Sequence, residues 1–177
     1  MTMLRFNFQR ACVFDTDGVV LNVGANEDPA SLKLIDPDRV INCDIEAYDS
    51  YLDGRPNSVD VIMDAREAPW PFEDDSAELV VFGDILEHLY EEEAVRALSE
   101  AHRVAQKVCI TVPEDSRFET DGVQQSETGY RTHCVVCTRE YLQRVLDASN
   151  WKVVEWIEAD YGFVPNGHFI LAVRKED

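Results

Sequence analysis

The chain has no long hydrophobic run. No stretch approaches the ~20 apolar residues that span a bilayer, and the first ten residues carry neither the apolar segment nor the cleavage site of a secretory leader. A cytoplasmic location and no membrane partner are the expectation. Basic residues are scarce: 16 Lys and Arg stand against 35 Asp and Glu, for a formal charge of -19. Such a field repels a phosphate backbone or an anionic membrane at long range, so no nucleic-acid partner is expected. The same acidity suits a solubility device, an adaptation to high salt or a cationic partner. The five cysteines are odd in number, and Cys12, Cys43 and Cys109 lie in apolar runs, which reads as reduced core thiols. Cys134 and Cys137 have the spacing of half a zinc site or a redox pair. No second such pair and no His-x-x-x-His follows, so they read as core packing. Internal repeats, low-complexity segments and interdomain linkers are also missing, and 177 residues suit one domain spanning 1–177.

What is present alternates between strand and helix patterns. Residues 18–24 form a short apolar run between glycines, the mark of a buried parallel strand feeding a tight turn. Asn26, Asp28 and Pro29 can start a short helix over 30–35, which Pro37 stops. Apolar runs at 39–43 and 59–63 read as the next strands, and both end on carboxylates, Asp44 and Asp64. A proline-broken acidic loop at 68–75 precedes a strand at 77–82, closed by Gly83. Apolar residues at 94, 95, 98, 101 and 104 predict an amphipathic helix over 90–105, with three glutamates at its positive end. A strand at 107–112 follows. Residues 114–133 are polar and aperiodic, a mobile loop or a substrate lid. Thr138 caps a further helix whose apolar face is Tyr141, Leu142, Val145 and Leu146, and Asn150 closes it. Runs at 152–159 and 167–173 make a terminal antiparallel hairpin around Pro165. The fold class expected is α/β: a Rossmann-like open sheet, mostly parallel with a C-terminal antiparallel hairpin, and helices on both faces.

In an open parallel sheet, ligands bind beyond the carboxyl ends of the strands, where strand order reverses. The first turn offers Gly24 and backbone amides, and the next two strand ends offer Asp44 and Asp64. Glycine permits close backbone approach, one carboxylate can accept both ribose hydroxyls, and another can accept an amino group. The order of these features points to a nucleoside-bearing cofactor. The GxGxxG fingerprint of nicotinamide-dependent dehydrogenases is absent.

The run from Met63, Asp64, Ala65 and Arg66 through Pro69, Trp70, Pro71 and Phe72, continuing over 75–81 and ending on Phe82, Gly83, Asp84, Ile85, Leu86, Glu87, His88 and Leu89, resembles the class I S-adenosylmethionine-dependent methyltransferases. The resemblance extends over nearly the whole chain and favours the small-molecule branch. It implies S-adenosylmethionine as cofactor, with Asn22, Val23, Gly24, Ala25 and Asn26 wrapping the methionine part. It further implies Asp44 on the ribose hydroxyls, Ile45 beside the adenine, and Asp64 with Ala65 holding it. Gly83, Asp84, Ile85 and Leu86 would lie along the cofactor, and the region of His88 on the substrate side. Residues 132–142 resemble the loop and helix that cover the substrate in that branch. Two departures stand out: the first strand turn has a single glycine with Asn22 where the family carries an acid, and 47–58 is too thin for a substrate domain. Glu27 or Asp28 is the candidate to supply the missing carboxylate toward the methionine ammonium.

Methyl transfer from a sulfonium is an in-line displacement, and a hydroxyl acceptor needs one general base. Histidine titrates near neutrality. His102, on the amphipathic helix, and His168, in the hairpin, read as structural, which leaves His133 as the preferred base and His88 as the second candidate. Asp84 could orient the acceptor. No metal is assigned, because no converging set of ligands is legible around it. Arg117 and Arg131 could recognise an anionic group of the substrate. The expected function is methylation of a small-molecule acceptor, by O-methylation. The alternative is a non-catalytic methyltransferase-like binding or partner subunit. A nucleic-acid methyltransferase is disfavoured by the charge and by the lack of the aromatic-proline motif of amino-methylating enzymes. The sheet edge at the terminal hairpin could pair two subunits.

Overall fold

Among the described residues, seven strands form one sheet, and two more form a separate antiparallel ribbon. The computed structural model describes residues 4–25, 32–46, 49–52, 55–115, 133–162 and 164–175, without the side chains of 34, 49–52 and 55–57. Asn26, Glu27, Asp28, Pro29, Arg117, Arg131 and most of the expected lid at 114–133 lie outside the described residues.

The parallel part comprises β1 (Val20–Val23), β2 (Val40–Asp44), β5 (Val61–Ile62), β6 (Ala77–Gly83) and β7 (Ala105–Pro113). β9 (Gly167–Arg174) inserts antiparallel between β7 and β8 (Trp151–Ala159). The sheet runs in the order β5-β2-β1-β6-β7-β9-β8, so strand order reverses between β1 and β6, which is where a crevice opens in such sheets. The mostly parallel sheet and its terminal hairpin agree with the sequence expectation.

Side-chain alternation along the strands sends successive residues to opposite faces and builds two cores. Leu21, Val23, Cys43, Val80, Phe82, Val108 and Ile110 pack under α3 (Glu91–Val104) and α4 (Arg139–Ala148). Val20, Val40, Leu79, Val81, Cys109 and Phe169 pack against α1 (Leu4–Phe14) and α2 (Leu32–Ile35). α3 buries Ala94, Ala97, Leu98, Ala101 and Val104, and the Tyr90 N–H donates to Glu93 at 2.9 Å to cap its start. α4 starts where Thr138 Oγ1 accepts the Tyr141 N–H at 3.2 Å, and it buries the four predicted apolar residues. Arg144 joins the two helices by two 2.7 Å bonds to Glu91.

Two elements depart from the sequence expectations. α1 was not anticipated, because two of its polar residues face inward and blur the amphipathic pattern. Gln9 is buried with Nε2 donating to Thr111 Oγ1 at 2.6 Å, and Arg5 pairs with Asp84. The thin segment 47–58 carries β3 (Asp49–Leu52) and β4 (Arg55–Ser58), whose Pro56 and Asn57 have weak strand propensity. No helix among the described residues is long and apolar enough to cross a membrane.

Candidate functional site

The carboxyl ends of β1, β2, β5 and β6 lie side by side, and the register aligns them. Val23 sits opposite Cys43 on one side and Phe82 on the other, and Asp44 sits opposite Ile62. Asp64, Asp44, Gly24 and the 83–85 segment thus follow one another across the carboxyl end of the sheet. Asp44 is 4% exposed, and its Oδ1 accepts the backbone N–H groups of Ile45 at 2.7 Å and Glu46 at 3.4 Å. These bonds orient a carboxylate at the strand end. Ile45 stands half-buried beside it.

Gly24 has φ of +69°, the left-handed region that side chains disfavour. Its N–H and that of Ala25 both donate to the Cys43 carbonyl, at 2.9 and 3.1 Å, so these two amides tie the turn to β2 rather than facing the crevice. The Ile85 side chain closes over Gly24. Asn22 lies within β1 and donates across to Asn42 Oδ1 at 3.1 Å, and Val23 is buried at the strand end. Leu86 is buried in the core. The structure brings Gly24, Ala25, Asp44, Ile45, Asp64, Ala65, Gly83, Asp84 and Ile85 to the same end of the sheet. Asn22, Val23 and Leu86, also expected along the cofactor, instead have their side chains buried within the sheet and the core.

Asp64 takes a fork of bonds from Arg66: Nε at 2.8 and 2.9 Å and Nη2 at 2.6 Å. Ala65 accepts the Trp70 indole N–H at 3.3 Å. Trp70 belongs to the acidic loop, which α3 pins: Arg103 donates to Trp70 O, Phe72 O and Asp74, and Glu100 accepts the Trp70 N–H at 2.8 Å. Asp84 has φ of +57° and is held by Arg5 of α1 and by the Tyr161 hydroxyl. Burial and then the Asp84 charge push the Tyr161 phenol well up, so it keeps the proton it donates. Burial, with the charges of Asp60 and Asp44 behind it, raises the Cys43 thiol to about 12, which leaves it inert beside the site.

Beyond Asp84 the chain makes a 3₁₀ turn, Leu86–His88. The turn offers the Glu87 carbonyl to the other side of the site, where it accepts the Cys134 N–H at 2.7 Å and the Val135 N–H at 3.4 Å. This clamp seats His133 next to the turn. Its ring meets the His88 ring edge to face with centroids 4.9 Å apart, and its Nε2 lies 3.9 Å from Glu87 Oε1. The two predicted histidines therefore share one corner. His102 and His168 do not join them: His102 packs against Trp151, and His168 bonds Trp156 and Glu114. Cys137 is buried in the core, while the Cys134 thiol reaches the Glu87 carbonyl at 3.6 Å.

The sequence reading missed Glu87. Its carboxylate is 1% exposed, and neither oxygen has a hydrogen-bond partner among the described residues. Burial holds this carboxyl well above the ordinary range, and the Asp84 charge adds to the effect. The available signal was an acid followed directly by a histidine inside the apolar frame of Leu86 and Leu89.

A model of the methyltransferase domain matches residues 21–110, from β1 into β7 and just over half the chain. No curated protein matches at a significant level. Among solved structures, a protein from Pyrococcus horikoshii OT3 is 15% identical, with a TM-score of 0.69 over 98% of this chain and 89% of that one. Magnesium protoporphyrin IX methyltransferase from Synechocystis PCC 6803, with bound SAH, is 14% identical, with a TM-score of 0.67 over 98% and 83%. The 1,6-didemethyltoxoflavin-N1-methyltransferase of Burkholderia thailandensis is 15% identical, with a TM-score of 0.64 over 97% and 79%. At such identities the structural likeness speaks for the fold, and the domain match speaks for descent. A strand order reversing between β1 and β6, the carboxylates on successive strand ends and the match over 21–110 agree: the chain belongs to the methyltransferase domain family.

Proposed function

We propose that this chain binds S-adenosylmethionine across the ends of β1, β2, β5 and β6 and methylates a hydroxyl oxygen of a small-molecule acceptor. The carrying observation is the order along the sheet edge: a left-handed glycine on β1, an oriented buried carboxylate on β2 and a second carboxylate after β5. This donor set fits the cofactor. In this reading Asp44 accepts the ribose hydroxyls, Ile45 flanks the adenine, and Asp64 and Ala65 meet its edge. Arg66 shares the Asp64 carboxylate, so an adenine amino group would be a second donor to the same oxygens. Gly24, Ala25 and Asn26 would take the methionine end, with Glu27 or Asp28 against its ammonium.

When bound, the cofactor supplies an electrophilic methyl group on a sulfonium. The protein's part is to hold the acceptor in line and to ionise it. His88 and His133 form the acceptor corner: they meet beyond Asp84, and His133 directly follows the variable segment in sequence. The pairing of Asp84 with Arg5 and Tyr161 supports a rigid wall between the two halves of the site. An acceptor without net negative charge suits a chain whose formal charge is -19. A panel of small hydroxylated acceptors incubated with radiolabelled S-adenosylmethionine tests the reading. Label transfer to oxygen that falls at least about tenfold in kcat for His133→Ala supports it. Transfer only to nitrogen or carbon acceptors would refute O-methylation.

A further inference from the structure

Glu87, His88 and His133 each bring one ligand atom to a common point, and these atoms all lie within 4.8 Å of one another. An ion bound at ~2.1 Å from each needs donors roughly 3.3 Å apart, so an inward shift of about an ångström completes the set. Three features favour a ligand here over a coincidence of polar side chains. The Glu87 carboxylate is 1% exposed and neither oxygen has a hydrogen-bond partner among the described residues, a costly state for a buried acid that nothing engages. The backbone clamp from Cys134 and Val135 to the Glu87 carbonyl holds the His133 segment against the turn, so the arrangement does not rest on long flexible side chains. Glu87 is buried while His88 and His133 are only half-buried, which leaves the outer side of the point open to a further ligand.

We propose that this cluster is a binding site for one divalent transition-metal ion, held by two imidazoles and one carboxylate. That donor set suits zinc, cobalt, iron or manganese, and three protein ligands leave coordination positions for water or substrate. Magnesium prefers oxygen and keeps its waters, so it fits less well. The acidic chain favours entry of a cation.

The role of the ion rests on the reading of the chain as an O-methyltransferase. The acceptor oxygen binds the ion, its O–H bond breaks with the proton passing to water, and the oxygen's electron pair forms the new O–CH₃ bond. The S–CH₃ bond breaks as that bond forms, and its electrons return to sulfur, leaving a neutral thioether. Metal coordination lowers the pKa of the hydroxyl and fixes the attacking atom. His133 then acts as a ligand, not as the proton acceptor, and His88 shares that role.

The full chain is stripped with a chelator and titrated with Co²⁺, read by visible d–d absorption and by calorimetry. The site predicts one equivalent bound, with a tetrahedral or five-coordinate spectrum. His88→Ala, His133→Ala and Glu87→Gln each weaken binding about a hundredfold or more. Glu87→Gln keeps the shape of the buried side chain, and circular dichroism of each variant confirms folding. Weak uptake that is equal in the wild type and all three variants overturns the site. S-adenosylhomocysteine titrated into the metal-free chain separates the two claims. Its binding without Co²⁺ uptake overturns the metal and leaves the methyltransferase reading intact. Co²⁺ uptake without its binding upholds the metal site and removes the catalytic role.

Discussion

Ile85 closes over Gly24 so tightly that a Cβ on Gly24 would fall well inside van der Waals contact with the Ile85 side chain. The turn leaving β1 and the segment leaving β6 thus seal against each other at the point where strand order reverses. Gly24→Ala meets two separate penalties. A non-glycine residue at φ of +69° costs about 1–2 kcal/mol, and overpacking against Ile85 adds about 1–3 kcal/mol. Adding Ile85→Ala recovers only the second part. Urea unfolding of the single and double variants measures both, and full recovery in the double variant would remove the backbone argument.

Asp84 receives Arg5 from α1 and Tyr161 from the β8–β9 connection, so it ties the helix that the sequence concealed to the site. Asp84→Asn leaves the Arg5 guanidinium, 17% exposed, without its charge partner, at a cost of about 1–3 kcal/mol. Tyr161→Phe removes the hydroxyl that donates to Asp84 and costs about 1 kcal/mol. In a double-mutant cycle, Arg5→Met and Asp84→Asn are non-additive by about 0.5–3 kcal/mol. Strict additivity would mean that the pair does not couple α1 to the β6 end.

His168 Nδ1 accepts the Trp156 indole N–H at 3.1 Å, which fixes the proton on Nε2, facing Glu114 at 3.2 Å. Protonating Nδ1 would set two N–H groups against each other. Burial lowers the His168 pKa below its ordinary 6.5, against the opposing charges of Glu114 and Glu158. The unfolded chain then binds this proton at a higher pH than the native one. The contribution of His168 is complete above about pH 6.5, declines as pH falls toward the depressed native pKa, and levels off below it. The slope in that window is at most about 1.4 kcal/mol per pH unit, the value for one proton. Urea midpoints between about pH 5 and 7 for the wild type and His168→Gln test this, the variant losing that slope.

Trp151, the first residue of β8, is fully buried, and its indole N–H donates to the Leu98 carbonyl of α3 at 3.0 Å. Trp151→Phe costs about 1–3 kcal/mol, from the lost hydrogen bond and the space the smaller ring leaves. Trp151→Ala costs about 3–5 kcal/mol from the cavity. A smaller loss for both in thermal unfolding would mean that the α3 and α4 layer repacks freely.

Most of the sheet and of α3 and α4 was legible because their apolar residues keep a clean period and their ends carry local signals. Thr138 capping α4, the glutamates opening α3 and Asn150 at φ of 64° are such signals. α1 was not legible, since Arg5 and Gln9 point inward for contacts with Asp84 and Thr111 that only the folded chain reveals. The carboxylates at the ends of β2 and β5 were found because each closes an apolar strand. The meeting of Glu87 with His133 was not, because residues 46 apart in sequence are joined through a clamp on a backbone carbonyl, which leaves no trace in side-chain spacing.

The most direct test is calorimetric titration of S-adenosylhomocysteine into the full chain, beside Asp44→Ala and Asp64→Ala variants with unchanged circular dichroism. The account predicts one site of about micromolar affinity, weakened at least about tenfold in each variant as a hydrogen-bonded carboxylate is lost. No binding at about millimolar ligand, or equal binding in all three proteins, would contradict it.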